Sequence, residues 1–201
     1  MIAIIDYDAG NLKSVEKALV LLGEETVITR NFKEIAGADK VILPGVGAFG
    51  DAMTQLKKFE LDKVIYEVAE KKTPLLGICL GLQLLFESSE ESPGVEGLHL
   101  LDGKILRIPD VDGIKIPHIG WNSLDYPNKG RLYEGIPEQS YVYFVHSYYL
   151  KAADESIVRA TTEYGTHIHA SVEKENIFAC QFHPEKSSTV GLQILKNFAS
   201  L

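Results

Sequence analysis

Cysteine is scarce in this chain, with only Cys79 and Cys180 among 201 residues. Two thiols can close at most one bridge, which excludes a disulfide-stapled scaffold and fits a reducing compartment. Positive charge is also short. Lys and Arg total 20 against 28 Asp and Glu, a formal net charge of −8, so no broad cationic surface neutralises a phosphate backbone and nucleic acid is not an expected partner. Long apolar runs are missing too. Met1–Ile5 stops at Asp6 with no basic residue ahead of it, too short for a secretion signal or a membrane span, so a soluble cytoplasmic protein is expected. What remains is ordinary globular material, 45% hydrophobic and 24% charged, which excludes disordered and fibrous classes. Set against a prior of about 150 residues per domain, the length predicts one domain over 1–201.

The first half alternates β-branched runs with helical periods: Ile2–Asp6, Asn11–Leu22, Glu25–Thr29, Lys40–Leu43, a helix near Leu61–Lys71, and Leu75–Ile78. That order predicts βαβ units. In Asn11–Leu22 the apolar residues Leu12, Val15, Ala18, Leu19 and Leu22 recur at spacings of three and four, and Gly23 follows as a helix stop. Val41–Leu43 and Leu75–Ile78 are continuously apolar, as strands covered on both faces must be. The predicted fold class is therefore α/β, with a doubly wound, mostly parallel sheet. From Leu98 onward short alternating runs (104–108, 140–149, 157–162, 167–172 and 177–182) read as antiparallel strands. A closing helix carries Val190, Ile194, Leu195 and Phe198 behind Ser187 or Ser188 as N-cap.

Gly77-Ile78-Cys79-Leu80-Gly81 follows an apolar strand and precedes Leu82–Phe86, which reads as a helix. This is the strand–turn–helix setting of a nucleophile elbow. A cysteine at a helix N-terminus is favoured as thiolate, and the turn aims the Leu80 amide at whatever the sulfur attacks, supplying one oxyanion donor. The alternative is a buried cysteine in a Gly-rich turn. Downstream, an extended 177–185 places Gln181, His183 and Glu185 on one face, with Pro184 keeping the chain out of helix. His183 is then the base and Glu185 its orienter. The same alternation sends Cys180 to the core with Phe178 and Phe182.

Cys79 with His183-Pro184-Glu185 resembles the class I glutamine amidotransferases, and the resemblance runs from end to end. It narrows to the branch formed by glutaminase subunits of imidazole glycerol phosphate synthase. Carrying it are Asp6-Tyr7, Gly10-Asn11-Leu12, Ser14, Pro44–Gly50, Pro117–Asn122, Tyr143–Tyr148 and Gln181–Ser187. Asp8 departs from the small residue expected there. The resemblance implies that Cys79 attacks the side-chain amide of glutamine, with His183 and Glu185 completing the triad and no cofactor. It implies that Pro44-Gly45-Val46-Gly47 supplies a second oxyanion donor from Val46 or Gly47, one able to point away until a partner binds substrate. It places Gly45, Gln83, Glu91, His146, Ser147 and Tyr148 around glutamine; Gln83 also lies one helical turn past Cys79. Glu91 would meet the substrate ammonium, although Glu87, Glu90 and Glu91 also read as a solvated helix end.

The chain has no evident room for a second catalytic domain, so ammonia must leave for another subunit. The resemblance implies a (β/α)8 barrel synthase in a heterodimer, with Trp121, Tyr143, Lys186 and Asn11 as docking candidates. Rival readings are a glutaminase for anthranilate, aminodeoxychorismate or pyridoxal phosphate synthesis, a flavodoxin-like redox sensor, and an ester hydrolase. A sensor gives His183 and Glu185 no task. In elbow hydrolases the acid precedes the histidine, whereas Glu185 follows His183. His167 and His169 share a strand face without a third ligand, so no metal is expected. His118 is read as structural. Tyr141, Tyr143, Tyr148 and Tyr149 are read as core and rim aromatics.

Overall fold

The computed structural model describes residues 1–8 and 10–201. Seven strands make the central sheet in the order β10-β11-β12-β4-β3-β1-β2. Five run parallel: β1 (Ile2–Ile5), β2 (Thr26–Thr29), β3 (Lys40–Leu43), β4 (Leu75–Ile78) and β12 (Ile177–Cys180). At one edge β10 (Val158–Glu163) and β11 (His167–Lys174) are added antiparallel. Alternate residues of the parallel strands feed two cores. Ala3, Ile5, Val41, Leu43 and Leu75 pack under helices α3 (Phe49–Lys58), α4 (Leu61–Glu70) and α5 (Leu80–Leu84). Ile2, Ile4, Ile42, Leu76 and Ile78 pack under α1 (Leu12–Leu21) and α6 (Ser188–Ala199). Continuous apolar strands are thus read correctly as strands buried on both faces.

Short α2 (Phe32–Ala36) and all of α3 go unanticipated. The α2 start is capped by the Asn31 side chain, which accepts from the amides of Lys33 and Glu34. The α3 start has no side-chain cap and contains Gly50 within its first turn, so neither start signal nor propensity marks it.

Three corrections fall in the second half. Residues 140–149 are two strands that belong to different sheets. β8 (Tyr141–His146) pairs with β7 (His118–Ser123) as a two-stranded ribbon, while β9 (Tyr148–Ala152) joins β6 (Gly103–Arg107) and β5 (Ser88–Ser89). The aromatic and apolar run continues on both sides of Ser147, so the residue pattern alone does not mark the break. β12 is antiparallel only to β11; its other neighbour, β4, is parallel. The extended reading of 177–185 also ends early, because Pro184–Lys186 turn as a 3-10 helix with proline in its first turn. Ser187 occupies the N-cap position of α6, yet its hydroxyl makes no cap bond there.

Candidate active site

The chain leaves β4 at Ile78 and enters α5 at Leu80, so Cys79 alone makes the turn, at φ 55° and ψ −110°. An L-residue held there stores strain that its surroundings must enforce. They do so at close range: the Cys79 amide donates to Cys180 O at 2.8 Å, and its carbonyl accepts from Leu82 N at 3.0 Å. A Cβ on Gly77 would lie 2.7 Å from Gly81 O, and one on Gly81 would overlap the Leu43 carbonyl. Both flanking glycines are therefore demanded by close backbone approach, as the sequence pattern suggests. Leu80 opens α5, so its N–H has no acceptor within the helix.

Adjacent in the sheet, β12 ends level with β4, Cys180 lying opposite Ile78. Three residues on, His183 Nδ1 meets Glu185 Oε1 at 2.7 Å. Both side chains are buried. His183 Nε2 is also buried and has no hydrogen-bond partner among the described residues. Burial opposes a charge on this ring, but contacts with Cys79 and Glu185 outweigh it and raise His183 to about 9. The backbone of His183 is gripped at both ends. Its amide donates to Tyr143 O at 2.9 Å, and its carbonyl accepts from Ser187 Oγ at 2.6 Å, while Ser187 Oγ itself accepts from Tyr143 N at 2.9 Å.

A cavity of about 320 Å³ lies between these elements, lined by Val46, Gly47, Cys79, Leu80, Gln83, Glu91, Pro117, Val145, His146, Ser147, Tyr148 and His183. That size suits an amino-acid-scale ligand. Glu185 stands behind His183, outside the wall. Val46 is exposed on the rim and Gly47 has φ +102°, a conformation that favours glycine. Glu91 sits in the turn after β5 rather than on a helix end, and its Oε2 accepts from Phe49 N at 2.8 Å.

Gly45 does not line the cavity. It is buried where a Cβ would collide with the Tyr7 hydroxyl, which donates to Pro44 O at 2.8 Å; its glycine identity is a packing requirement. Asn11 reaches the triad from outside the cavity, its side-chain amide donating to Glu185 Oε1. It sits half-buried at the start of α1 in the left-handed region, φ 72°. His146 lines the cavity with both ring nitrogens engaged. Tyr148 O can only accept, so Nδ1 donates to it at 2.8 Å and Nε2 accepts from His118 Nδ1 at 3.0 Å. Burial pushes His146 down to about 3 and His118 to about 4. His118 is structural as read, stacked 3.8 Å from Tyr164 and 4.8 Å from Phe144.

Trp121 and Tyr143 face each other across the β7–β8 ribbon, edge to face at 6.0 Å. Trp121 is 52% exposed and Ile119 and Tyr141 on the same face are similarly open. Lys186 is exposed beside Glu185. His169 is buried and its Nδ1 accepts from Ala152 N at 3.2 Å, while exposed His167 meets Glu163. Among the described residues no cluster of three or more His, Cys, Asp or Glu could hold a metal, and no helix is long and apolar enough to cross a membrane. Cys180 is a buried free thiol, and burial pushes it well above the ordinary thiol range. Sequence reasoning missed two contacts on the sulfur: Cys79 Sγ lies 4.0 Å from Val145 O, and Gln181 Nε2 lies 3.7 Å from Sγ. The face Gln181 shares with His183 was the available signal for the second.

The sequence profile described as glutamine amidotransferase class-I matches residues 3–200. The chain belongs to that family. As an amidotransferase it is 54% identical to the imidazole glycerol phosphate synthase subunit HisH of Moorella thermoacetica, over its whole length and 94% of the relative. It is 48% identical to the HisH subunit of Methanocaldococcus jannaschii, covering all of both chains. Among solved structures, one described as a glutamine amidotransferase superposes with TM-score 0.77 at 19% identity, covering 99% and 97% of the two chains. PurLQS from Thermotoga maritima gives 0.76 at 20% identity, over 99% and 97%. These structures share the fold.

Proposed function

We infer that this amidotransferase is the glutaminase subunit of imidazole glycerol phosphate synthase in histidine biosynthesis. One observation carries the chemistry: neighbouring parallel strands deliver a strained Cys79 and a carboxylate-held His183 to the same cavity. Held by Glu185 and raised to about 9, His183 is a base able to take the thiol proton of Cys79 and keep it as imidazolium, so the sulfur attacks as thiolate. Sγ bonds to the amide carbon of glutamine, and the oxygen charge falls on the Leu80 N–H and a donor from Val46–Gly47. His183 Nε2–H protonates the departing nitrogen, the C–N bond breaks, and ammonia leaves a glutamyl thioester. Water then adds to the thioester, giving its proton to His183, and glutamate departs with sulfur restored as thiolate. Glu91 stands where a substrate ammonium would be met, with Gln83, Ser147 and Tyr148 completing the pocket.

The ribbon face of Trp121 and Tyr143, with Lys186 beside it, docks the (β/α)8 barrel synthase subunit in a heterodimer that passes ammonia between sites. Free thiols at both cysteines suit a cytoplasmic enzyme. In the complex, Cys79→Ala is expected to abolish glutamine-dependent synthesis, by at least about 10⁴-fold, while added ammonium salt still supports it. Loss of the ammonia-driven reaction as well would overturn the division of labour.

A further inference from the structure

Gln181 has no part in the chemistry above, yet it is fully buried and touches the reacting sulfur. Three amide contacts run in series. Gln83 Nε2 donates to Tyr148 O at 3.2 Å and to Gln181 Oε1 at 3.0 Å, and Gln181 Nε2 then points its N–H at Cys79 Sγ, 3.7 Å away. A glutamine amide can be turned end for end with little change of shape, so its neighbours alone decide which atom meets the sulfur. Here they decide it. The Tyr148 carbonyl only accepts, which forces the NH2 of Gln83 toward it. The second hydrogen of that NH2 requires an oxygen from Gln181, and the Gln181 NH2 is left for the sulfur. Tyr148 O is further held by His146 Nδ1–H at 2.8 Å, and His146 by His118.

We propose that Gln181 is a catalytic residue that donates an N–H to the Cys79 thiolate, and that Gln83 is the positioning residue that keeps its amide from reversing. This rests on the glutaminase reading. The thiolate forms twice per turnover, before attack and as leaving group from the thioester, in a site where burial withholds solvent. A hydrogen bond to a charged group there is worth roughly a factor of ten or more. A carbonyl turned to the same place would repel the sulfur.

The test follows Cys79 alkylation by iodoacetamide against pH in the full chain bound to its synthase partner, beside kcat and KM for glutamine. Cys180 is fully buried, so the reaction reads Cys79. The titratable groups around Sγ are His183 with Glu185 behind it, Cys180, Tyr7, the neutral His146, and Glu91 and Tyr148 across the cavity; substitution at Gln181 removes none of them. Gln181→Met keeps length and loses both donor and carbonyl. It is expected to move the alkylation midpoint to higher pH and to lower both alkylation below neutral pH and kcat by roughly tenfold or more, with KM near its wild-type value. Gln181→Glu, which sets an oxygen against the sulfur, shifts the profile further. Gln83→Leu, which frees the Gln181 amide, shifts it less. Profiles superimposing on wild type in Gln181→Met and Gln181→Glu would overturn the proposal. If neither variant folds, the wild-type complex with 15N-labelled glutamine side chains decides: the Gln181 NH2 resonances move as Cys79 titrates, or the contact is refuted. Absence of glutamine hydrolysis by wild type would instead strike the glutaminase reading itself.

Discussion

Two walls of one cavity hold buried histidines and treat them in opposite ways. On the β12 side, His183 faces a thiol and a buried carboxylate and is raised to about 9. On the ribbon side, His146 and His118 face a carbonyl and each other and are lowered to about 3 and 4. Burial works against charge in all three. What separates them is the partner on the ring nitrogen: a carboxylate stabilises a cation, whereas a neutral ring or a single carbonyl does not repay its desolvation. One wall is built to hold and move a proton, the other to stay neutral and keep its shape.

Replacing the partner should break that contrast most sharply. Glu185→Gln is expected to lower kcat by about 10²–10⁴-fold and to drop the His183 titration from about 9, read by steady-state kinetics and by NMR of the ring protons. A smaller effect appears in stability against pH. His118 binds protons more weakly folded than unfolded, so its contribution is present above about 6.5 and lost as pH falls toward about 4. The loss is about 3 kcal/mol, shared with His146 through their common hydrogen bond. His183 has the opposite sign: its contribution is present below 6.5 and fades as pH climbs through about 9. Urea unfolding across pH separates the windows, and His118→Asn is expected to flatten the acid one. Smallest is the outer face of the same ribbon. Trp121→Ala should change unfolding free energy by less than about 1 kcal/mol, since Trp121 is half exposed. It should weaken affinity for the synthase partner by about 2 kcal/mol, measured by calorimetry.

Legibility in the sequence followed the range of the interactions. β3 and β4 emerge at their observed bounds because a short, nearly continuous apolar run between turn signals is a local fact. The elbow pattern is local too, with Gly77 constrained by the turn itself, although Gly81 is demanded by the Leu43 carbonyl of neighbouring β3. The pairing of His183 with Glu185 was also within reach, although the chain achieves it by a 3-10 turn at Pro184 and not by extension. Contacts made over long distances left no such trace. Asn11 meets Glu185 across 174 positions with nothing in the neighbourhood of either to announce the other, and Gln181 meets Cys79 across 102, hinted at only by the face it shares with His183. The break at Ser147 is hidden for a related reason: β8 and β9 each keep a strand-like pattern, and only the separate partners β7 and β6 show that they part ways.

The clamp on His183 ties these regions into one mechanical unit. Tyr143 contributes both its carbonyl and, through Ser187, its amide to the two ends of that single residue, while its ring lies against Trp121 on the outside. The main chain that carries the imidazole is therefore tied, by the hydrogen bonds of one residue, to the strand whose other side shows Trp121 to solvent. Were a second subunit to seat on that face, any shift of β8 would arrive at His183 with no loop in between to absorb it.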